Sequence, residues 1–247
     1  MLRFSKICPV SITSVLLTLV GTLPLVLAFP VWPQTYVGKN PHVIVSVFDD
    51  ARLPAAVLAQ AEAKAAKIFG RAGVDMTWAN CSTSPQREAP DALIRAGAPV
   101  PTWSGLVTEE SCVRFDWPKH LALRIVAQSV GSPNEVFGMA FLSTEGLGCY
   151  SDVFYDNAME LHTAWNVGLG DILGSVMAHE LGHLILGSNS HSPTGIMRAR
   201  WEHGELRRLE RGSLVFTDEQ AERMRVKVIV APPAGQPDLA VTAQSRF

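Results

Sequence analysis

The amino-acid sequence predicts an α/β protein built on a twisted, mostly parallel β-sheet. Residues 43–48 are rich in β-branched side chains, which favour a buried strand. Residues 54–70 begin with Pro54 and continue with good helix formers, and residues 74–78 form a second strand candidate. This β-α-β order favours a right-handed crossover between parallel strands. Residues 171–186 are apolar on more than one side, which predicts a long buried helix.

Further strand candidates lie between these two helices. Residues 121–127 form a third strand, and residues 138–143 and 149–155 form two shorter ones. Residues 80–118 contain five prolines and little periodicity, so we expect a long surface excursion there. The sheet therefore gains at least one strand after the β-α-β unit.

Helix termini are marked by residues with known end preferences. Gly187 can end the helix of residues 171–186 in the left-handed conformation that glycine accepts at little cost. Thr217 begins a capping box with Gln220, which predicts a C-terminal helix that ends between residues 226 and 230. Residues 207–211 could be either a solvated helix face or a loop, and residues 231–247 are expected to be a flexible tail.

Composition excludes several classes of protein. The chain has 247 residues, of which 47% are hydrophobic, so intrinsic disorder is excluded. With 21 Lys and Arg against 23 Asp and Glu, there is no basic surplus to neutralise a nucleic-acid backbone. We therefore expect one soluble domain over residues 40–230 and no nucleic-acid partner.

The N-terminus has the pattern of an export signal. Arg3 and Lys6 precede an apolar stretch at residues 12–28, which ends in small or modest side chains. Residues 1–28 are therefore interpreted as a signal peptide, with an uncleaved N-terminal anchor as the alternative because the stretch nearly reaches membrane-spanning length. Either interpretation places the domain outside the cytoplasm, secreted or periplasmic.

Export changes the expected state of the cysteines. Cys8 would leave with the signal, so Cys81, Cys112 and Cys149 would remain in an oxidising compartment. The spacing leaves the pairing open. A Cys81–Cys112 bridge would fasten the excursion of residues 80–118, and we expect Cys149 to be a free thiol packed in the core.

The chemistry of the chain centres on His179-Glu180-Leu181-Gly182-His183. Positions i and i+4 lie above one another on a helix, so the two imidazoles can bind one Zn²⁺. Glu180 lies beside this pair, where its carboxylate can take a proton from a metal-activated water and deliver it to a leaving group. A buried apolar helix has no other good use for these polar groups, because unpaired they would be costly. The motif therefore predicts a metal site.

The continuation of this motif resembles the metzincins, a clan of zinc-dependent endopeptidases with the pattern H-E-x-x-H-x-x-G-x-x-H and a later methionine. After His183 the chain reads Leu-Ile-Leu-Gly-Ser-Asn-Ser-His191, then Ser-Pro-Thr-Gly-Ile-Met197. The resemblance implies a zincin-like fold, with His179, His183 and His191 as zinc ligands and Glu180 as general base. It also implies that Met197 lies beneath the metal without binding it.

This chain departs from the clan pattern in two places. One additional residue precedes the glycine and another separates it from His191, and no tyrosine follows Met197 within a few residues. A glutamate is the alternative third ligand, as in other H-E-x-x-H enzymes. The three candidates are Glu202, Glu205 and Glu210.

The resemblance also gives a role to residues 138–143. In the clan an antiparallel edge strand lines the substrate cleft, and an extended peptide can pair along such an edge. An ordinary sheet strand is the alternative for these residues.

Two functions remain open at this point. The first is an exported zinc metalloendopeptidase, a monomer that acts on a peptide or protein substrate and meets a membrane only if residues 1–28 stay attached. The alternative is a zinc-stabilised secreted binding protein without proteolytic activity. An intact Glu180 favours the enzyme, because a site without catalysis has little use for that carboxylate.

Overall fold

The computed structural model describes residues 40–81, 109–113, 115–128 and 136–231 of the chain. The predicted signal segment at residues 1–28 and the predicted tail at residues 231–247 lie outside these ranges, apart from Ala231, as does most of the predicted excursion at residues 80–118. None of the described helices is both long and apolar enough to cross a membrane.

The described residues form five strands, five α-helices and one short 3-10 helix at Glu109–Cys112. The strands are β1 (His42–Asp49), β2 (Asp75–Cys81), β3 (His120–Val126), β4 (Gly138–Phe141) and β5 (Tyr150–Phe154). The helices are α1 (Ala55–Arg71), α2 (Tyr155–Trp165), α3 (Leu169–Leu186), α4 (His203–Glu210) and α5 (Asp218–Val230).

One sheet with the strand order β2-β1-β3-β5-β4 organises the molecule. Neighbouring strands are parallel except β4, which pairs antiparallel with β5 at the edge of the sheet. The predicted α/β class, with a mostly parallel sheet and a helix before the helix that carries His179 and His183, is confirmed. The β-α-β opening is also confirmed, since β1 pairs parallel with β2 across α1.

Helix α3 occupies the centre of the core. Every residue of α3 except Leu169 and Asp171 is buried, as the apolar pattern predicts. The helix ends where Gly187 adopts a φ of 64°, the left-handed conformation expected there. It approaches α1 so closely at Gly174 that an added Cβ would lie 2.3 Å from the carbonyl oxygen of Ala61. The histidines of α3 are therefore carried by the most enclosed element of the fold.

The C-terminal helix begins as predicted. Thr217 caps α5, its side chain accepts a hydrogen bond from the backbone of Gln220, and the Gln220 side chain accepts one from the backbone of Thr217. The helix continues to Val230. Residues 207–210 belong to helix α4 rather than to a loop.

Helix α2 was not predicted. It follows β5 without a linker, and its N-cap is Phe154, which offers no side-chain hydrogen bond to the first turn. The prediction placed Tyr155 in a strand because neither a turn residue nor a polar cap separates the two elements.

The disulfides correct one expectation. Cys81 and Cys112 are bridged, with their Cα atoms 5.7 Å apart. Cys149 is buried but is also disulfide-bonded, to a partner outside the described residues. The prediction of a free Cys149 thiol is wrong. A buried thiol and a buried half-cystine look equally apolar in a sequence, so the pattern around Cys149 could not distinguish them.

Candidate metal centre

Helix α3 presents two histidines to the same point. His179 and His183 are 8% and 4% exposed, and their rings meet edge to face with centroids 4.7 Å apart. Their Nε2 atoms are 3.0 Å apart. This is the arrangement that i and i+4 spacing predicts on one helix face.

The other ring nitrogen of each histidine is fixed by the backbone. Nδ1 of His179 lies 2.7 Å from the carbonyl oxygen of Ile196, and Nδ1 of His183 lies 2.7 Å from that of Ser188. A carbonyl oxygen can only accept, so each Nδ1 must donate its proton. In the neutral ring each Nε2 is then an acceptor with its lone pair directed toward the other. Two acceptors at this distance repel one another unless a cation lies between them.

The electrostatics of the site keep these rings neutral. Burial lowers the pKa of His179 to about 3, and the neighbouring His183 lowers it further while the hydrogen bond to Ile196 opposes the shift. Burial also lowers the pKa values of His183 and His191. Neutral imidazoles are the form that binds a metal ion.

The loop after α3 brings a third histidine to the pair. The ring of His191 stacks on that of His179 at 5.4 Å and meets that of His183 edge to face at 4.9 Å. One nitrogen from each of the three rings lies within 4.8 Å of the other two. Across the described ranges, no other three His, Cys, Asp or Glu side chains form such a group. The three histidines can therefore hold one metal ion.

None of the three glutamates considered as alternative ligands belongs to the group of histidines, although Glu202 lines the same cavity. The carboxylate of Glu205 accepts a hydrogen bond from Arg198 at 2.7 Å and another from the backbone of Glu202 at 3.2 Å. Glu202 forms the other half of the capping box at the start of α4. Glu210 is exposed at the end of the same helix.

Met197 lies against helix α3. It is 1% exposed and follows a turn in which the backbone N–H of Ser192 donates to its carbonyl at 2.9 Å. Gly195 adopts a φ of 77° in this turn. A Cβ added to Gly182, between the two helical histidines, would lie 2.8 Å from the Met197 sulfur. Gly182 thus leaves the space that the methionine fills.

Glu180 is enclosed beside the same cluster. Its side chain is buried at 6% exposure and faces the edge strand β4. Burial raises the pKa of Glu180 to about 8, although a hydrogen bond from the backbone N–H of Ala140 lowers it. A divalent cation at the histidines would lower this pKa by its charge.

A cavity of about 680 Å³ opens next to these groups, which is within the range of small-ligand sites. Glu180 and the three histidines lie along it together with β4 residues 138–140. Its apolar wall includes Phe137, Leu161, Val176 and Trp201. The cluster is therefore accessible to a ligand, and the wall favours apolar groups.

Sequence reasoning missed two residues of this site. Trp201 donates its indole N–H to the Ile196 carbonyl at 3.3 Å, the same oxygen that holds His179, and its ring stands edge-on to the imidazole at 6.0 Å. Gly138 lies in contact with the Glu180 side chain. Neither residue carries a local signal, because each acts through a contact that only the folded chain creates.

No protein-family model matches the sequence of this chain, and no match was found among curated proteins. Among solved structures, the chain is similar to archaemetzincin from Methanopyrus kandleri, with 16% identity and a TM-score of 0.45 over 78% of this chain and 99% of that one. It is also similar to a zinc-dependent peptidase from Methanocorpusculum labreanum, with 17% identity and a TM-score of 0.46 over 73% of this chain and 99% of that one.

Proposed function

We propose that this protein is an exported zinc-dependent endopeptidase of the metzincin type. The proposal depends on one observation. Two buried Nε2 atoms face each other at 3.0 Å while both Nδ1 protons are committed to backbone carbonyls. A metal ion bound by both nitrogens would remove the repulsion between this pair of acceptors, and His191 adds a third nitrogen to the group.

The donor set favours zinc among the common cations. Calcium and magnesium prefer oxygen ligands, whereas imidazole nitrogens suit Zn²⁺. Three protein ligands are the number found in catalytic zinc sites, because one position stays open for water or substrate. When bound, the metal supplies a Lewis acid that lowers the pKa of water and polarises a carbonyl group. His179, His183 and His191 would hold it.

Glu180 is the group in this cavity best placed to move a proton. Its carboxylate lies beside the histidines without belonging to their cluster, and its burial makes it more basic than an exposed glutamate. We assign it the role of general base toward the attacking water, followed by that of general acid toward the departing amine. This role also disfavours the alternative of a binding protein without activity.

The edge strand supports a peptide as substrate. One side of β4 pairs with β5, and residues 138–140 of β4 also line the cavity. An extended peptide can add to such an edge through main-chain hydrogen bonds. The apolar wall formed by residues such as Leu161 and Val176 would then receive an apolar side chain next to the bond that is cut.

Export is part of the proposal. The Cys81–Cys112 bridge is typical of an oxidising compartment, which agrees with the signal pattern of residues 1–28.

Metal analysis combined with a cleavage assay tests the proposal. The purified chain should hold about one Zn²⁺ and cleave casein, and His179→Ala should lose the metal. Glu180→Gln should keep the metal yet lose roughly 100- to 10,000-fold in turnover, because it can no longer accept the proton. Glu210→Gln, at an exposed position outside the cavity, is the matched control and should behave as the wild type.

Two results would contradict the proposal. Stoichiometric zinc that persists in His179→Ala would show that the motif is not the metal site. Casein cleavage by Glu180→Gln at the wild-type rate would show that another group moves the proton.

A further inference from the structure

We propose that the edge strand β4 positions the general base, because the missing side chain at Gly138 leaves the space that the Glu180 side chain occupies. Gly138 is a positioning residue, since it contacts no reacting atom. The inference rests on the proposed function for the role of Glu180, but the contacts that carry it are independent of the metal.

The steric part concerns the missing side chain at residue 138. A Cβ built there would lie 2.6 Å from Cγ of Glu180, 2.7 Å from its Oε1 and 2.8 Å from its Cδ. Carbon and oxygen atoms do not approach a real Cβ this closely, so any larger residue must displace the glutamate. Gly138 is not among the glycines with positive φ, so its backbone does not require glycine. The requirement at this position is therefore for space.

Pairing with the neighbouring strand β5 fixes the position of β4. Gly138 pairs with Val153 and Ala140 with Ser151 in the β4–β5 register, and both partners are completely buried. Because Glu180 comes from the buried helix α3, its carboxylate lies between two fixed elements. The strand that we expect to bind the peptide thus also sets the position of the Glu180 carboxylate relative to that peptide.

A double-mutant cycle on thermal unfolding tests the contact without any activity. Gly138→Ala should lower the melting temperature of the full chain by roughly 5–10 °C, since an overpacked core contact forces its neighbours apart. In a Glu180→Ala background, Gly138→Ala should lower the melting temperature only slightly, because the side-chain atoms that the new Cβ would meet are absent. Gly204→Ala is the matched control, since its added Cβ meets nothing within 4 Å. If Gly138→Ala does not fold, recovery of folded protein in the double variant gives the same support.

Kinetics then test the positioning of the base. Gly138→Ala should retain its zinc and lower kcat by roughly 100-fold with a smaller change in KM, since a displaced base loses most of its contribution. Glu180→Asp, which shortens the side chain, should lower kcat less in the Gly138→Ala background than in the wild type. If the glycine had only a structural role, the two losses of kcat would be additive.

The outcomes separate this inference from the proposed function. An equal loss of melting temperature in both backgrounds, or no loss in either, would overturn the inference. A wild-type chain that binds no zinc would overturn the proposed function. The double-mutant cycle on thermal unfolding would still test the contact between Gly138 and Glu180. A wild-type enzyme that needs Glu180 but tolerates Gly138→Ala at full kcat would overturn the inference alone.

Discussion

The buried carboxyl of Glu180 predicts an unusual pH dependence for the metal-free protein. Its pKa is raised from 4.5 to about 8 in the folded chain, mainly by burial. Between these pH values the folded state keeps a proton that the unfolded state has released. The free energy of unfolding must therefore fall as the pH rises through this interval, and the stabilisation by the proton is complete only below about pH 4.5.

The size of the effect follows from the same two values. From 4.5 to about 8, at about 1.4 kcal/mol for each pH unit, the loss of unfolding free energy approaches about 5 kcal/mol. Glu180→Gln removes this proton exchange while keeping the size of the side chain. We expect the metal-free variant to match the wild type near pH 5 and to exceed its melting temperature at pH 8 by roughly 10 °C.

Thermal unfolding after treatment with a chelator, at intervals from pH 5 to pH 8, measures the difference. The three histidines titrate in both proteins, so their contribution cancels in the comparison. Curves that run parallel for wild type and Glu180→Gln across this range would refute the reasoning, since the carboxyl would then already be ionised in the folded state.

Glu205 provides a matched control with the opposite sign. It is also buried, and burial raises its pKa, but the hydrogen bond and charge of Arg198 outweigh this and hold the pKa below its ordinary value. The stability that its carboxylate contributes is therefore present above the unfolded-state pKa and is lost as the pH falls through the folded-state pKa. Glu205→Gln should destabilise the chain by a constant amount from pH 5 to pH 8.

Two further predictions concern the proposed third ligand and the packing of helix α3. His191→Ala should weaken zinc binding by roughly 10- to 100-fold in competition with a chelating dye, whereas Glu202→Ala should leave it nearly unchanged; the reverse result would move the third ligand to the glutamate. Gly174→Ala should lower the free energy of unfolding by about 1–3 kcal/mol in urea because its Cβ would meet the backbone of α1, and Gly70→Ala, which meets nothing within 4 Å, should cause no such loss.

The sequence predicted best where many neighbouring residues carry the same signal. Helix α3 combines an apolar pattern, a glycine at its end and two histidines at helical spacing, so its position and the meeting of His179 with His183 follow from local chemistry. The capping box at Thr217 likewise marks α5 within a few residues.

The failures concern residues whose role depends on distant partners. Gly138 and Glu180 are far apart in the chain, and nothing near Gly138 indicates that a glutamate will fill its space. Trp201 and His179 share a carbonyl that belongs to Ile196, a contact created only by the turn before Met197. Helix α2 was missed because a strand and a helix can join without a marker when the packing around both is favourable.

The glycines of α3 distinguish this site from metal sites in which metal binding itself drives folding. Gly170, Gly174 and Gly182 each lower the intrinsic helix propensity by about 1 kcal/mol relative to alanine, so an excised peptide of this segment should be largely unstructured in water. In small zinc domains the metal provides the folding energy. Here the sheet and the surrounding helices provide it, and the backbone carbonyls of Ile196 and Ser188 hold the Nδ1 atoms of the two helical imidazoles. The ligand geometry is therefore a property of the whole domain, and transplanting the five-residue motif onto another helix would carry over its spacing without its preorganisation.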